Sequence, residues 1–315
     1  MYSTGEWVPL RRMVFHPGEP SMWNPVENSY RVPFDGSFKI EHADTRPPQS
    51  GPSRKDLKAQ LKAEVAAVDT LQEILFAEDR QSLLLVFQAM DAAGKDGTIR
   101  AVLRGLNPAG CQVFSFKQPS ARELDHDFLW RTAQRMPERG KIGIFNRSYY
   151  EEVLVVRVHP KFLGMQRLPP YESLEQIWKH RYESIRDHEQ HLARDGTRII
   201  KFFLHVSPDE QGKRLHRRIT KPKNHWKFSS SDLAEREYWT EYMDAYEAAL
   251  NATSRPWAPW YSIPADDKPF MRVQVAQIVH KTLKDMDPRY PDLSDEDRTA
   301  LVAHRESLRP EGEED

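Results

Sequence analysis

Cysteine is almost absent. Cys111 stands alone in 315 residues, so no intramolecular disulfide is possible and the composition fits a reducing cytosol. Because it opens an apolar segment, it reads as buried packing rather than as a nucleophile. Long apolar runs are missing too: none approaches the roughly 20 residues that a bilayer-spanning helix needs. The opening segment carries Glu6, Arg11 and Arg12 without the apolar core of a secretory signal. A cytoplasmic chain without membrane attachment is expected, and no internal repeat argues for a solenoid. Net charge is nearly absent, at −1, but its distribution is uneven. Gln211–Ser231 holds seven Lys/Arg and no Asp/Glu, whereas the end, Glu311 to Asp315, is acidic. A local cluster of this kind points to an anionic ligand.

With 39% hydrophobic residues, the chain can bury one α/β domain of about 250 residues with extensions, or two domains. Residues 1–52, rich in Pro, Gly and Ser, read as an extended arm laid over a domain at 53–290. Residues 291–315 read as an acidic, partly disordered tail. Leu57, Leu61, Val65, Val68, Leu71 and Leu75 recur at spacings of three and four, predicting a helix at 54–79. Strands are expected at 83–88, 111–116, 141–145, 198–205 and 260–263. Helices are expected from Gly97 to about 107, then at 125–135, 172–194, 208–219, 232–252 and 267–285. Alternation of this kind predicts a parallel sheet covered on both faces. Ligands of such sheets bind at the carboxyl ends of the strands, which puts Asp91, Lys117 and Asn146 on one edge.

The stretch Leu83-Leu-Leu-Val-Phe-Gln-Ala-Met-Asp-Ala-Ala-Gly-Lys-Asp-Gly-Thr98 carries the chemistry. An apolar strand runs into a small-residue loop, Gly94-Lys95 and the start of a helix, the build of a phosphate-binding loop. Here too the absences are informative. Ala89 stands where the first glycine is usual, and Asp96 replaces the Ser/Thr that holds magnesium. Asp91 lies inside the loop, where it repels phosphate unless a metal ion intervenes. Phe145-Asn-Arg-Ser-Tyr-Tyr-Glu151 occupies the place of a Walker B segment, yet an amide, Asn146, ends the strand, and the nearest acids are Glu151 and Glu152. The charge for a metal site must then come from Asp91 and Glu151, while Glu152 reads as solvated. Arg147 offers a planar fork for phosphate. His180, His188 and His191 read as surface histidines rather than a metal site. Trp226, Phe228, Tyr238 and Trp239 read as core rather than as stacking platforms.

Residues 88–100, 145–151, Trp226-Lys-Phe-Ser229, Tyr238–Tyr246, Pro256–Tyr261 and Ala265–Lys268 together resemble the polyphosphate kinase 2 family over roughly residues 30–290. The resemblance implies a P-loop kinase fold akin to thymidylate kinases, with a helical lid at about 211–231. It implies transfer of a terminal phosphoryl group between inorganic polyphosphate and AMP, ADP or ATP. It further implies Mg²⁺ (with Mn²⁺ as an alternative) and a homodimer or homotetramer. Asn146 and Glu151 exchange the Asp and Asn of the commoner pattern, which resembles the class III subgroup acting on AMP as well as ADP. Carried over residue by residue, Asp91, Lys95 and Arg147 are catalytic and Asp91 with Glu151 holds metal. Ala92, Ala93, Gly94, Lys95, Asp96, Gly97, Thr98, Arg100, Lys117, Asn146, Arg147, Arg217, Arg218, Lys221 and Lys227 bind nucleotide or polyphosphate. The competing readings are an ATP-dependent nucleoside monophosphate kinase and a non-catalytic binder of polyphosphate or nucleotide. Nucleic acid is disfavoured, since no recognised module accompanies the basic segment.

Overall fold

The computed structural model describes residues 24–308, apart from the side chains of Lys227, Glu296, Ala303, Glu306 and Ser307. Residues 1–23 of the expected arm and 309–315 of the expected tail lie outside this range. Helices α1 (Arg54–Glu78) and α2 (Lys95–Val102) flank strand β1 (Ser82–Gln88) in sequence. Then follow β2 (Cys111–Ser115), the short α3 (Ala121–Leu124) and α4 (Trp130–Ala133), β3 (Ile142–Asn146), α5 (Val155–Val158) and α6 (Leu174–Arg194). The chain continues through β4 (Thr197–His205), α7 (Pro208–Thr220), α8 (Ser230–Glu237), α9 (Trp239–Thr253), β5 (Trp260–Pro264), α10 (Lys268–Met286) and α11 (Asp295–Ser307). The described strands form one sheet in the order β2-β3-β1-β4-β5, all parallel.

β1 lies at the centre, apolar from Leu83 to Phe87 between a polar residue at each end, and every residue of it is buried. A strand covered on both faces has no need of alternation. Helix α10 packs on both α1 and α2, while α6 meets α9, whose Tyr246 stacks on Phe203 of β4 at 4.3 Å. Serine and aspartate caps set the helix starts: Ser53, Ser173, Ser207 and Asp267 each accept a backbone N–H from the first turn. Tyr30–Val32 run along the open edge of β5, and Phe38–Ile40 bond to Asn251 and Glu247 of α9. Val32 N–H donates to Trp260 O (2.9 Å) and Ser262 N–H to Tyr30 O (2.8 Å), covering an edge that would otherwise expose unpaired backbone.

Several local expectations need correction. The stretch 125–135 is not one helix; Asp127 Oδ1 takes the Leu129 N–H (2.9 Å), and only Trp130–Ala133 is helical. The expected helix 232–252 breaks at Tyr238 (φ −92°, ψ 27°), whose ring meets His159 edge-on at 4.7 Å. α2 begins at Lys95 and ends at Val102. Residues 295–307 form α11. Cys111 is only half-buried on the outermost strand, and burial pushes its thiol up to about 11, so it stays protonated near neutral pH.

Candidate active site

The register Ser115–Asn146–Phe87 across β2, β3 and β1 brings three strand ends side by side. A cavity of about 700 Å³ opens above them. Its walls carry nine cations (Lys95, Arg100, Lys117, Arg147, Arg214, Arg217, Arg218, Lys268 and Arg272) against two carboxylates, Asp91 and Asp96. The loop between β1 and α2 turns through two left-handed positions, Ala92 (φ 61°) and Gly94 (φ 114°). A side chain at Gly94 would also come within 3.3 Å of Met271 Cε, so the turn needs glycine both for its backbone angle and for the approach of α10.

Lys95 folds back under this loop, donating from Nζ to Ala89 O (2.6 Å) and Met90 O (3.4 Å). Burial, reinforced by Arg147, pulls its ammonium down to about 8 against the opposing pull of Asp91, Glu151 and Asp96. Arg147 takes a left-handed conformation (φ 63°). It donates from Nη2 to Asp91 Oδ1 (2.7 Å) and from Nη1 to Glu151 Oε2 (3.3 Å). Glu151 above all, then Asp91, hold the guanidinium firmly protonated. Asn146 Nδ2 donates to Asp96 Oδ1 (2.8 Å) and Ser115 Oγ (3.3 Å). The amide therefore fixes the first carboxylate of α2 rather than supplying charge of its own.

Of the residues singled out from the sequence, Asp91–Gly97, Arg100, Lys117, Asn146, Arg147, Arg217 and Arg218 line this cavity. Three others do not. Thr98 is fully buried and back-bonds to Gly94 O (3.1 Å), as helical threonines do, so it supports the loop from below. Lys221 is exposed at the end of α7 and is not part of the lining. Glu151 lies behind Arg147, lining a smaller cavity of about 220 Å³ with Met90, Leu154, Val155, Tyr242 and Tyr246. Both of its oxygens are engaged, Oε1 by Gln88 Nε2 (3.1 Å) and Oε2 by Arg147. The Lys227 side chain lies outside the described ones. Glu152 is not solvated: it is buried against Arg181 (3.0 Å) and Gln166 (2.7 Å). Trp226, Phe228 and Tyr238 are exposed rather than core.

Sequence reasoning missed Arg214, Lys268 and Arg272. Arg214 is buried, donating to Ala93 O (2.5 Å), Ala265 O (2.6 Å) and Glu210 Oε1 (2.8 Å). It ties α7 to the loop, as does Gln211 Nε2 on Asp91 O (3.1 Å). The signal for Lys268 and Arg272 was their spacing of four at the start of α10, which points both toward the loop. Burial, and then neighbouring cations, hold both below their usual values: Arg214 and Arg272 act on Lys268, Arg100 and Arg214 on Arg272. Like charges crowded in this way are suited to a polyanion.

The model of the family described as polyphosphate kinase 2 matches residues 51–291. The chain belongs to the polyphosphate kinase 2 family. It is similar to the ADP-polyphosphate phosphotransferase of Rhodopseudomonas palustris, 53% identical over 257 residues (81% of this chain, 89% of the relative). It is likewise similar to the AMP/ADP-polyphosphate phosphotransferase of Meiothermus ruber, 44% identical over 265 residues (83% and 94%). The crystal structure of polyphosphate kinase 2 from Arthrobacter aurescens TC1 superposes with a TM-score of 0.79 at 38% identity, covering 89% of this chain and 99% of that one. The polyphosphate kinase 2 chain described here is thus a P-loop kinase fold in which the unusual loop and the Asn146 strand end sit within one cationic cavity. No helix among the described residues is long and apolar enough to cross a membrane.

Proposed function

We propose that this protein transfers the terminal phosphoryl group of inorganic polyphosphate to AMP and ADP, yielding ADP and ATP, in a reversible, Mg²⁺-dependent reaction. The observation that carries this reading is the nine-to-two excess of cations over carboxylates around the phosphate loop, in a chain whose relatives are named for polyphosphate and for ADP or AMP/ADP. A nucleotide and a polyphosphate end must be held together although both are anions. At about 4 Å and an effective dielectric of 20, each unit repulsion costs ~4 kcal/mol. Lys95, Arg147 and the cations of α7 and α10 offset that repulsion. The attacking group is a phosphate oxygen that is already anionic, so no strong base is required and positioning dominates. Asp91 then orients Arg147 rather than accepting a proton.

Among the described residues no cluster of three or more His, Cys, Asp or Glu side chains could hold a metal. Mg²⁺ commonly takes only one or two carboxylates and completes its shell with waters and substrate phosphates. The hard oxygens of Asp91 fit that requirement better than Glu151, whose two oxygens are already engaged. When bound, the ion would neutralise charge on the phosphoryl group. A cytosolic homodimer or homotetramer without nucleic-acid or membrane partners completes the proposal. The segment at about 211–231, from α7 to the start of α8, serves as the lid.

One assay decides among the alternatives. AMP and ADP are incubated separately with polyphosphate and Mg²⁺, with ATP as competing donor. Formation of ADP from AMP, and of ATP from ADP, only when polyphosphate is present is the expected result. Transfer to AMP from ATP alone would make the protein a nucleoside monophosphate kinase. Binding without turnover would make it a sensor.

A further inference from the structure

Helix α8, into which the segment at about 211–231 runs, is fastened chiefly by polar contacts. Every residue of it keeps at least partial exposure. Three of its side chains reach three different places. Asp232 Oδ2 accepts from Arg218 Nη1 of α7 (2.5 Å). Glu235 Oε2 accepts from Tyr242 OH of α9 (2.6 Å) and lies 2.8 Å from His159 Nε2. Arg236 Nη1 donates to Pro208 O (2.7 Å) and Gln211 Oε1 (2.8 Å), in the first turn of α7. An eight-residue helix held in this way belongs to the low-stability end of a structure and can leave its seat without global unfolding.

The Arg236 contact reaches furthest into the site. Gln211 is buried, and its amide spans two groups of opposite character. A guanidinium can only donate and a carbonyl oxygen can only accept. With Oε1 turned to Arg236, Nε2 is left to face Asp91 O (3.1 Å); the reversed amide would set donor against donor and acceptor against acceptor. Asp91 in turn accepts from Arg147 Nη2 through Oδ1 (2.7 Å). A planar trans peptide points its C=O and the following N–H in opposite directions, so the bond to Gln211 also turns the Ala92 N–H away from α7. Arg214 grips the same loop at Ala93 O (2.5 Å), but it is seated by Glu210, Ala265 and Asp266, which lie outside α8. The Gln211 link is the one that α8 orients.

We propose that Arg236 is a positioning residue for phosphoryl transfer. From α8 it sets the Gln211 amide, which holds the Asp91–Ala92 peptide and, through Asp91, the Arg147 guanidinium. The phosphate loop then has its working shape only while α8 is seated, so the state of the lid is passed to the chemistry without Arg236 touching a substrate. This inference rests on the reading of the cavity as a phosphoryl-transfer site.

The test compares Arg236→Met, Arg236→Lys, Gln211→Met and the double variant Arg236→Met/Gln211→Met. In Arg236→Met, kcat with ADP and polyphosphate should fall by ~10–30-fold while KM for polyphosphate stays within about twofold, as expected for lost positioning rather than a lost substrate contact. The thermal midpoint should stay within about 2 °C of native. Arg236→Lys, whose ammonium can still donate to Gln211 Oε1, should recover activity to within about threefold of native. Gln211→Met should cost as much as Arg236→Met, and the double variant no more than either, because both break one link of the same relay. Native kcat in Arg236→Met, losses that add, or no recovery by lysine would each overturn the proposal. Amide hydrogen exchange reads the relay without turnover: residues 89–94 should exchange faster in Arg236→Met, with β1 protected as in the native protein. If the native protein transfers no phosphoryl group, the transfer reading falls and the exchange still decides the link between α8 and the loop. Faster exchange upholds that link, and unchanged exchange at 89–94 removes it.

Discussion

Two lysines of this molecule are alike in one respect and opposite in the rest. Lys95 and Lys201 both have ammonium groups pulled down by burial. Lys201, on β4, is closed in on every side. It donates to Glu189 Oε2 (2.6 Å), Tyr150 OH (2.8 Å) and Thr253 O (2.9 Å), and lies over the rings of Tyr150 and Trp260. Glu189 in turn accepts from Tyr149 OH (2.9 Å). Lys95 meets only two loop carbonyls and stands beside Arg147 at the wall of an open cavity. A perturbed pKa therefore does not by itself mark a site. The completed network holds α6, α9 and β4 together, whereas the incomplete one leaves its lysine at the wall of an open cavity.

The largest effect should come from breaking the closed network. Lys201→Met leaves Glu189 buried without its partner, and urea unfolding should show a loss of ~3–5 kcal/mol. Turnover per folded molecule should stay within about twofold, because the network touches no part of the cavity. Replacing both partners, Lys201→Met/Glu189→Leu, should recover much of the loss, since an apolar pair of similar volume is often tolerated. A large drop in turnover with stability intact would erase the distinction between the two lysines.

Lys95→Ala should do the reverse. Transfer should fall by ~10²–10³-fold, about 3–4 kcal/mol at the transition state, with little change in thermal midpoint. Activity within about threefold of native would remove Lys95 from the chemistry.

The carboxylates beside Arg147 sharpen the comparison further. Asp91→Asn should cost transfer ~10–100-fold and flatten the Mg²⁺ dependence; a normal Mg²⁺ response would place the ion elsewhere. Glu151→Asn should weaken AMP phosphorylation more than ADP phosphorylation, by about 1–3 kcal/mol. The shorter acceptor depends more on the exact seat of Arg147, and equal losses on both would make Glu151 a general support.

The smallest effect is on pH. Burial holds the Lys95 ammonium down to about 8, and a deprotonated amine attracts phosphate less. With polyphosphate as the varied substrate, kcat/KM should be level below about 8 and decline as pH rises through it. Lys95→Arg should remove that decline whatever its absolute rate. An unchanged decline in Lys95→Arg would assign the titration to another group.

Much of the site was legible because its parts are contiguous in the chain. An apolar run into a Gly-Lys turn, the Asn146–Arg147 strand end and the run of seven Lys/Arg without an acid among them each follow from local composition. Their common edge follows from the rule that parallel strands present their carboxyl ends together. What escaped the reading depended on distant partners. Glu152 reads as solvated until Arg181, from α6, is found against it. Arg214 reads as one more lid cation until its guanidinium is traced to the carbonyls of Ala93 and Ala265. The break at Tyr238 places its ring against His159, far away in sequence.

The sequence by itself determined the buried central strand, the phosphate loop with Asp91 and Lys95, and the family, since these depend on residue order and local backbone preference. Only the tertiary structure decided that Arg147 sits between Asp91 and Glu151, and that Lys201 is closed while Lys95 is open. Charge pairing and burial are properties of atoms brought together across the fold, and spacing along the chain does not encode which of them will meet.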